Sequence, residues 1–279
     1  MKDQAENLRN HTEMHHAKFI AIMSGKGGVG KSIFSLNYAL SISKSGFKVL
    51  LIDFDIGMGN IDVLMGQSAS HSIVDVLINN ISLATVTEQG PFQLDYIGGG
   101  SALNQSIQFD RFTFEKFQKE FDHVQKKYDL VIFDMGAGIN LQYIDVLLSM
   151  DEIFIVTTYE PTSIMDAYSM VKFLLLKNHE MHINVIMNRS TGHNNSKEFQ
   201  KRLKNTVQQF LKKEIQVLGS IPDDKYVVKS VLEQEPLVIK YPTAAASIAI
   251  HKIASRQFGL TYVPRKLSFL ERFKKRLLN

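Results

Sequence analysis

Residues 24–32 read Ser24-Gly25-Lys26-Gly27-Gly28-Val29-Gly30-Lys31-Ser32, the densest run of chemically suggestive residues in the 279-residue chain. Glycines at 25, 27, 28 and 30 remove the Cβ atoms that stop successive backbone N–H groups from turning toward one anion. The spacing G-x-x-x-x-G-K-S places Lys31 where its ammonium reaches the β- and γ-phosphates of a nucleotide, and Ser32 where its hydroxyl ligates Mg²⁺. The apolar run Phe19–Met23 precedes the loop and a helical pattern follows it. The partial positive charge of a helix N-terminus therefore adds to the anion site.

Carboxylates are the second feature. The run Leu50-Leu51-Ile52-Asp53-Phe54-Asp55 sets two aspartates at i and i+2, on one side of an extended segment. Leu130-Val131-Ile132-Phe133-Asp134 is another apolar run ending in a carboxylate. Beside a phosphate loop, such a carboxylate holds Mg²⁺ through water while the metal bridges phosphate oxygens. Aspartates also cap ordinary strand ends, and that reading stays open for each of them.

These groups must be delivered by a scaffold. Short β-branched runs occur at Phe19–Met23, Val49–Ile52, Leu94–Ile97, Leu130–Phe133, Ile153–Thr157, Ile183–Met187 and Val217–Ser220. They predict buried strands. Between them, Arg111–Lys127, Ser163–Leu176, Ser196–Phe210, Lys225–Leu232 and Ala244–Phe258 carry helical periodicity, with Phe114, Phe117, Phe121 and Val124 on one face of the first. Strands alternating with helices predict an α/β fold, a mostly parallel sheet with helices on both faces. Ligands then bind at the C-terminal strand ends, where the aspartates emerge.

Composition narrows the chemistry. There is no cysteine, which excludes disulfides, thiolate zinc sites and cysteine-ligated iron–sulfur clusters. The polar start predicts no secretory signal, and no apolar run reaches the roughly 20 residues of a membrane span. Net charge is +4, but the stretch from Arg265 to Arg276 alone contributes +5, leaving −1 for the rest. A nucleic-acid-binding body would keep its positive charge without that tail, so the balance argues against nucleic acid as a partner.

Lys26 is the residue that an ordinary phosphate loop does not require. With it, residues 26–32 read K-G-G-V-G-K-S and resemble the motif of the MinD/ParA family of deviant Walker A ATPases, P-loop NTPases of the SIMIBI class. The resemblance runs from about Lys18 to Leu260. It implies ATP and Mg²⁺ as cofactors and an ATP-dependent homodimer, with Lys26 crossing to the partner's phosphates. It also implies that Asp55 orients the attacking water and that Asp53 helps hold the magnesium shell beside Ser32 and Asp134. Asn60 and Asp62 match the D-x-D-x-G-x-x-N-x-D pattern of the MinD branch. Asn188-Arg189 and Ile221-Pro222-Asp223-Asp224 resemble the family's adenine loops, which would add Asn188, Arg189, Pro222 and Asp224 to the nucleotide set. Met135-Gly136-Ala137-Gly138 resembles its second switch. MinD commonly has proline where this chain has Gly136, so a more flexible loop is expected.

The two ends extend the reading to three parts: an arm over 1–17, an ATPase domain over 18–262 and a terminal helix over 263–279. In the last, Leu267, Leu270, Phe273 and Leu277 recur at helical steps, Phe269 and Leu278 widen the stripe, and Arg272, Lys274, Lys275 and Arg276 surround it. Such a helix lies in the interface of an anionic bilayer, apolar side down; a helix packed on its own core is the alternative. The arm, with Asp3, Gln4, Ala5, Leu8 and Arg9, resembles the D-Q-A-x-x-L-R motif of the FlhG group, also called YlxH or FleN. That resemblance implies activation of FlhF, an SRP-type GTPase, contact with flagellar C-ring proteins, and a cytoplasmic protein peripheral on the inner membrane face when ATP-bound. A MinD-type division-site ATPase and a ParA-type partition ATPase are the competing members. Iron-protein and cluster-carrier relatives need cysteines, and related tyrosine kinases a tyrosine-rich tail.

Overall fold

The computed structural model describes residues 17–79, 81–100, 120–121, 123–191 and 193–258. The expected arm contacts Asp3, Gln4, Ala5, Leu8 and Arg9 and the tail residues 267–277 lie outside that set, as do residues 111–119 of the helix expected over Arg111–Lys127.

Strands β1 (Lys18–Ser24), β2 (Val49–Phe54), β3 (Glu88–Gln89), β4 (Asp95–Ile97), β5 (Leu130–Ala137), β6 (Glu152–Thr158), β7 (Ile183–Ser190) and β8 (Gln216–Pro222) form one sheet. Its order is β3-β4-β2-β5-β1-β6-β7-β8. All pairings are parallel except that of the two-residue edge strand β3 with β4. Each expected run became a strand, and most extend a residue or more beyond it. Leu94 is the exception at the other end, left outside β4. Strand β3 was not foreseen, because two residues carry no periodicity.

The helices are α1 (Lys31–Ser43), α2 (Ile61–Leu64), α3 (Ile73–Leu77), α4 (Leu83–Val86), α5 (Ile144–Leu148), α6 (Pro161–Lys177), α7 (His193–Leu211), α8 (Lys225–Leu232), α9 (Leu237–Lys240) and α10 (Ala245–Phe258). The strands alternate between two cores, as the pleat requires. Ile20, Ile22, Leu51, Ile132 and Phe154 face α1, α9 and α10. Ala21, Met23, Ile52, Phe133 and Ile155 face the side where α6 and α7 bring Ala167, Val171, Leu174, Leu203 and Val207. Each such fully buried large side chain contributes about 1.5–3 kcal/mol relative to exposure.

The site depends most on α1. It is buried nearly all round, the mark of a core helix. Phe34 stacks on Tyr38, with centroids 5.2 Å apart, and Tyr38 meets Phe154 of β6 edge-on at 5.7 Å. The Asn37 amide donates to the Ile33 carbonyl and accepts from the Val238 N–H, tying α9 to the same helix. Strand β1, at the centre of the sheet, feeds this clamped helix. The loop between them therefore sits at the sheet's topological switch point.

Candidate functional site

The loop conformation follows from its glycines. Gly30 is the N-cap of α1 with φ 91°, left-handed backbone open to glycine at little cost. A Cβ there would lie 2.4 Å from Asn188 Nδ2. That amide donates to the Val29 carbonyl at 2.7 Å, fastening the loop to the end of β7. Gly28, with φ 77°, faces open space, and a Cβ on Gly25 would strike the Asp166 backbone of α6. Glycine thus serves three separate purposes within six residues.

Lys31 is buried, with Nζ 2.9 Å from Asp134 Oδ1 and 3.9 Å from Asp55 Oδ2. It also donates to Ser32 Oγ at 3.1 Å. Asp134 is fully buried. Its Oδ1 accepts a second bond, from Ser35 Oγ at 2.7 Å, while Oδ2 has no hydrogen-bond partner. One carboxylate oxygen is thus pinned from α1 while the other has no partner, and Lys31 bridges the pinned oxygen to the Ser32 hydroxyl. This donor set fits a hydrated magnesium ion, which takes few protein ligands and keeps several waters.

Asp53 pairs in register with Asp134 across β2 and β5 and is fully buried. Its Oδ1 accepts from the Asp55 N–H at 3.1 Å, and Oδ2 from the N–H groups of Asn60 at 2.7 Å and Ile61 at 3.1 Å. A Cβ on Gly59 or Gly99 would press into this carboxylate. Asp53 thus holds the turn that carries Asp55 and caps α2. Burial, and then repulsion from Asp134, push its pKa up from 3.8 to about 7 against the lowering effect of the three N–H groups. Asp55 is partly exposed. Burial raises its pKa, Lys31 counters that, and Asp134 adds to it.

Gly136 belongs to the extended end of β5, where the sequence suggested a more flexible loop. A Cβ at that position would sit 3.1 Å from Asp55 Oδ1, so glycine lets the Asp55 carboxylate approach the strand.

The remaining expected residues surround this centre. Lys26 is ion-paired with Glu160, just ahead of α6, and lies 3.5 Å from Thr162 Oγ1. Glu160 is exposed, and the bond from Lys26, with the nearby charge of Arg189 a lesser cause, holds its pKa below the ordinary value. Asn188 is spent on Val29, and Arg189 adopts φ 53°. Asp224 caps α8 through the Tyr226 N–H at 3.0 Å and accepts from the Ala246 N–H at 3.1 Å. The Asp223 N–H donates to the Ser190 carbonyl, so the loops after β7 and β8 stand side by side, with Pro222 opposite Ser190. Asp62 accepts from the Val63 N–H. Sequence reasoning missed Ser35, Glu160, Gly59 and Gly99. Only tertiary proximity links the first two to Asp134 and Lys26, and no spacing rule would have found them.

The comparisons with known proteins agree with this geometry. The family described as AAA domain matches residues 17–187. The flagellum site-determining protein YlxH of Helicobacter pylori is 30% identical over 99% of this chain and 96% of its own length. The chain belongs to the MinD/ParA family, on the branch of FleN and YlxH. The antiactivator FleN of Pseudomonas aeruginosa is 29% identical over 97% of each chain. The septum site-determining protein MinD of a Synechocystis is 28% identical over 94% of this chain and 98% of its own. Among solved structures, MinD of Aquifex aeolicus aligns with TM-score 0.69 and 28% identity over 90% of this chain and 100% of that one. A Pyrococcus horikoshii MinD complexed with Mg-ADP aligns with TM-score 0.71 and 24% identity over 90% and 100%, a likeness of fold alone. The P-loop NTPase fold anticipated for the MinD/ParA family is therefore the fold of this chain. Among the described residues, no helix is long and apolar enough to cross a membrane.

Proposed function

We propose that this chain is an ATP-hydrolysing switch that regulates flagellar number or placement. The observation carrying this reading is the near end-to-end match to FleN and YlxH, at 97% and 99% of the chain. Both matches take in terminal segments beyond the nucleotide fold.

In this reading residues 25–32 cradle the phosphates with backbone N–H groups, Lys31 exchanges Asp134 for phosphate oxygens, and Asp55 orients the attacking water. Ser32 and Asp134 would hold Mg²⁺, which would supply charge neutralisation at the phosphates. Asp53 keeps Asp55 in place. Asn188, Arg189, Pro222 and Asp224 frame the base. The products are ADP and phosphate.

Dimerisation around ATP uses Lys26 in trans. Glu160 is its competitor within the chain, and because that pair is exposed and screened by water the exchange is cheap. A cation delivered by a second copy favours assembly while the triphosphate persists and release after hydrolysis. We assign 1–17 to activation of the GTPase FlhF, 18–262 to the ATPase and 263–279 to anionic lipid on the inner membrane face. Flagellar C-ring proteins are the downstream partners.

The deciding experiment adds a peptide of residues 1–17 to FlhF and measures GTP hydrolysis. Stimulation that disappears with Gln4→Ala is expected. No stimulation would leave the second reading, a MinD-type division-site ATPase, which the Synechocystis relative favours and which has no activating arm.

A further inference from the structure

Helix α1 carries fully buried serines at positions 35 and 41. Each hydroxyl stands within bonding distance of the carbonyl four residues earlier, Ser35 Oγ 3.0 Å from Lys31 O and Ser41 Oγ 2.7 Å from Asn37 O. Such a back-bond fixes the side-chain torsion of a helical serine and brings the helix no stability of its own. Ser41 reaches no carboxylate among the described residues. Ser35 does, because its Oγ also lies 2.7 Å from Asp134 Oδ1, a partner 99 positions away in sequence. The contact joins the clamped helix to the middle of the sheet, between two side chains that are both withdrawn from solvent.

Asp134 Oδ1 is also approached by Lys31 Nζ at 2.9 Å, while Oδ2 has no partner. A hydroxyl has one hydrogen, and Ser35 has two acceptors for it, the Lys31 carbonyl and the Asp134 carboxylate. While the ammonium occupies Oδ1, either acceptor can take that hydrogen. Once Lys31 moves to phosphate, the bond to the bare carboxylate is charge-assisted and the stronger of the two. Nothing intrinsic to the side chain would then fix the carboxylate plane, because the terminal torsion of aspartate is broad and roughly two-fold. Among the described residues, Ser35 is the group left on Oδ1.

We propose that Ser35 is a positioning residue for the metal side of the nucleotide site: its hydroxyl holds Asp134 Oδ1 after Lys31 has left, and so keeps Oδ2 available to a hydrated divalent cation. The inference rests on the reading of Asp134 as a magnesium-holding carboxylate and goes beyond it, because it names what keeps that carboxylate oriented. Removing a hydrogen bond to a metal-holding carboxylate lowers metal affinity by about 10–100-fold. Nucleotide without metal is held by the loop N–H groups and the Lys31 ammonium, and does not depend on the Ser35 hydroxyl. A role in metal affinity is thereby separable from a general role in packing.

The experiment titrates MgCl₂ into the ADP-loaded full chain by calorimetry and measures ADP affinity separately in EDTA. Ser35→Ala removes one oxygen, leaves Lys31 on Asp134 and installs the best helix former, so the fold is retained. Its Mg²⁺ affinity should fall about 10–100-fold, with ADP affinity in EDTA unchanged. Ser41→Ala deletes the matching back-bond on the same helix and should behave as the parent in both titrations. In an Asp134→Asn background, Ser35→Ala should bring no further loss of Mg²⁺ affinity, because the two residues act as one unit. Mg²⁺ affinity unchanged by Ser35→Ala, an equal effect of Ser41→Ala, a matching loss of ADP affinity in EDTA, or full additivity with Asp134→Asn overturns the positioning role and leaves Asp134 as the metal-holding residue. Parent-like Mg²⁺ affinity in Asp134→Asn itself overturns the magnesium reading, and this inference with it.

Discussion

Gly30→Ala tests the phosphate-loop geometry most directly. An alanine at φ 91° incurs about 1–2 kcal/mol of left-handed backbone strain. Its Cβ would also stand 2.4 Å from Asn188 Nδ2, which must then leave the Val29 carbonyl, 2.7 Å away. Losing that bond costs about 0.5–1.5 kcal/mol. The expected loss is therefore about 2–3 kcal/mol in urea unfolding without nucleotide. In an Asn188→Ala background the atoms of described residues that a Cβ at 30 would meet are gone, since both such neighbours within 4 Å belong to Asn188. There Gly30→Ala should cost only the backbone strain. The double variant should thus fall short of the summed single losses by about 1 kcal/mol, within the range for residues in contact. Gly28→Ala is the control, because φ 77° with nothing within 4 Å predicts strain that adds to Asn188→Ala. Additive behaviour at position 30, or coupling as large at 28, would refute the clamp between the loop and β7.

Replacing Lys31 by methionine removes the cation 2.9 Å from fully buried Asp134. A stability loss of about 3–5 kcal/mol is expected, with ATP binding abolished; normal affinity by calorimetry would defeat the phosphate-loop assignment. Asp53 holds its proton more tightly folded than unfolded, with a pKa raised from 3.8 to about 7. Its contribution is therefore full below about pH 4 and lost as pH rises through 7. The ceiling is about 4 kcal/mol. Asp53→Asn should flatten urea stability measured without Mg²⁺ between pH 5 and 7.5; an unchanged slope would move the titration to another group. Asp55→Ala should accumulate as an ATP-bound dimer by light scattering, and a monomer under those conditions counts against the sandwich.

Much of the fold was legible because the strands are buried on both faces and read as continuous apolar runs, from Phe19–Met23 to Val217–Ser220. Helix α8 matched its expected bounds because its apolar spacing and the Asp224 cap agree. The edge strand β3 and the short helices α2 to α5 and α9 were not legible. Segments of two to five residues owe their shape to what they pack against, such as Ile61 beneath α1 and Val238 bonded to Asn37.

The sequence by itself determined a loop over residues 24–32 with glycines at the intervals of a phosphate-binding pattern before Lys31 and Ser32, between a strand and a helix. It also placed Asp53, Asp55 and Asp134 at strand ends on one edge of the sheet. Only the tertiary structure decided their separate duties. Three identical side chains became a loop tether, a partly exposed carboxylate and a half-pinned carboxylate. Burial, neighbouring N–H groups and the position of Lys31 differ at each, and those surroundings come from elements up to about a hundred residues away, such as Ser35 against Asp134.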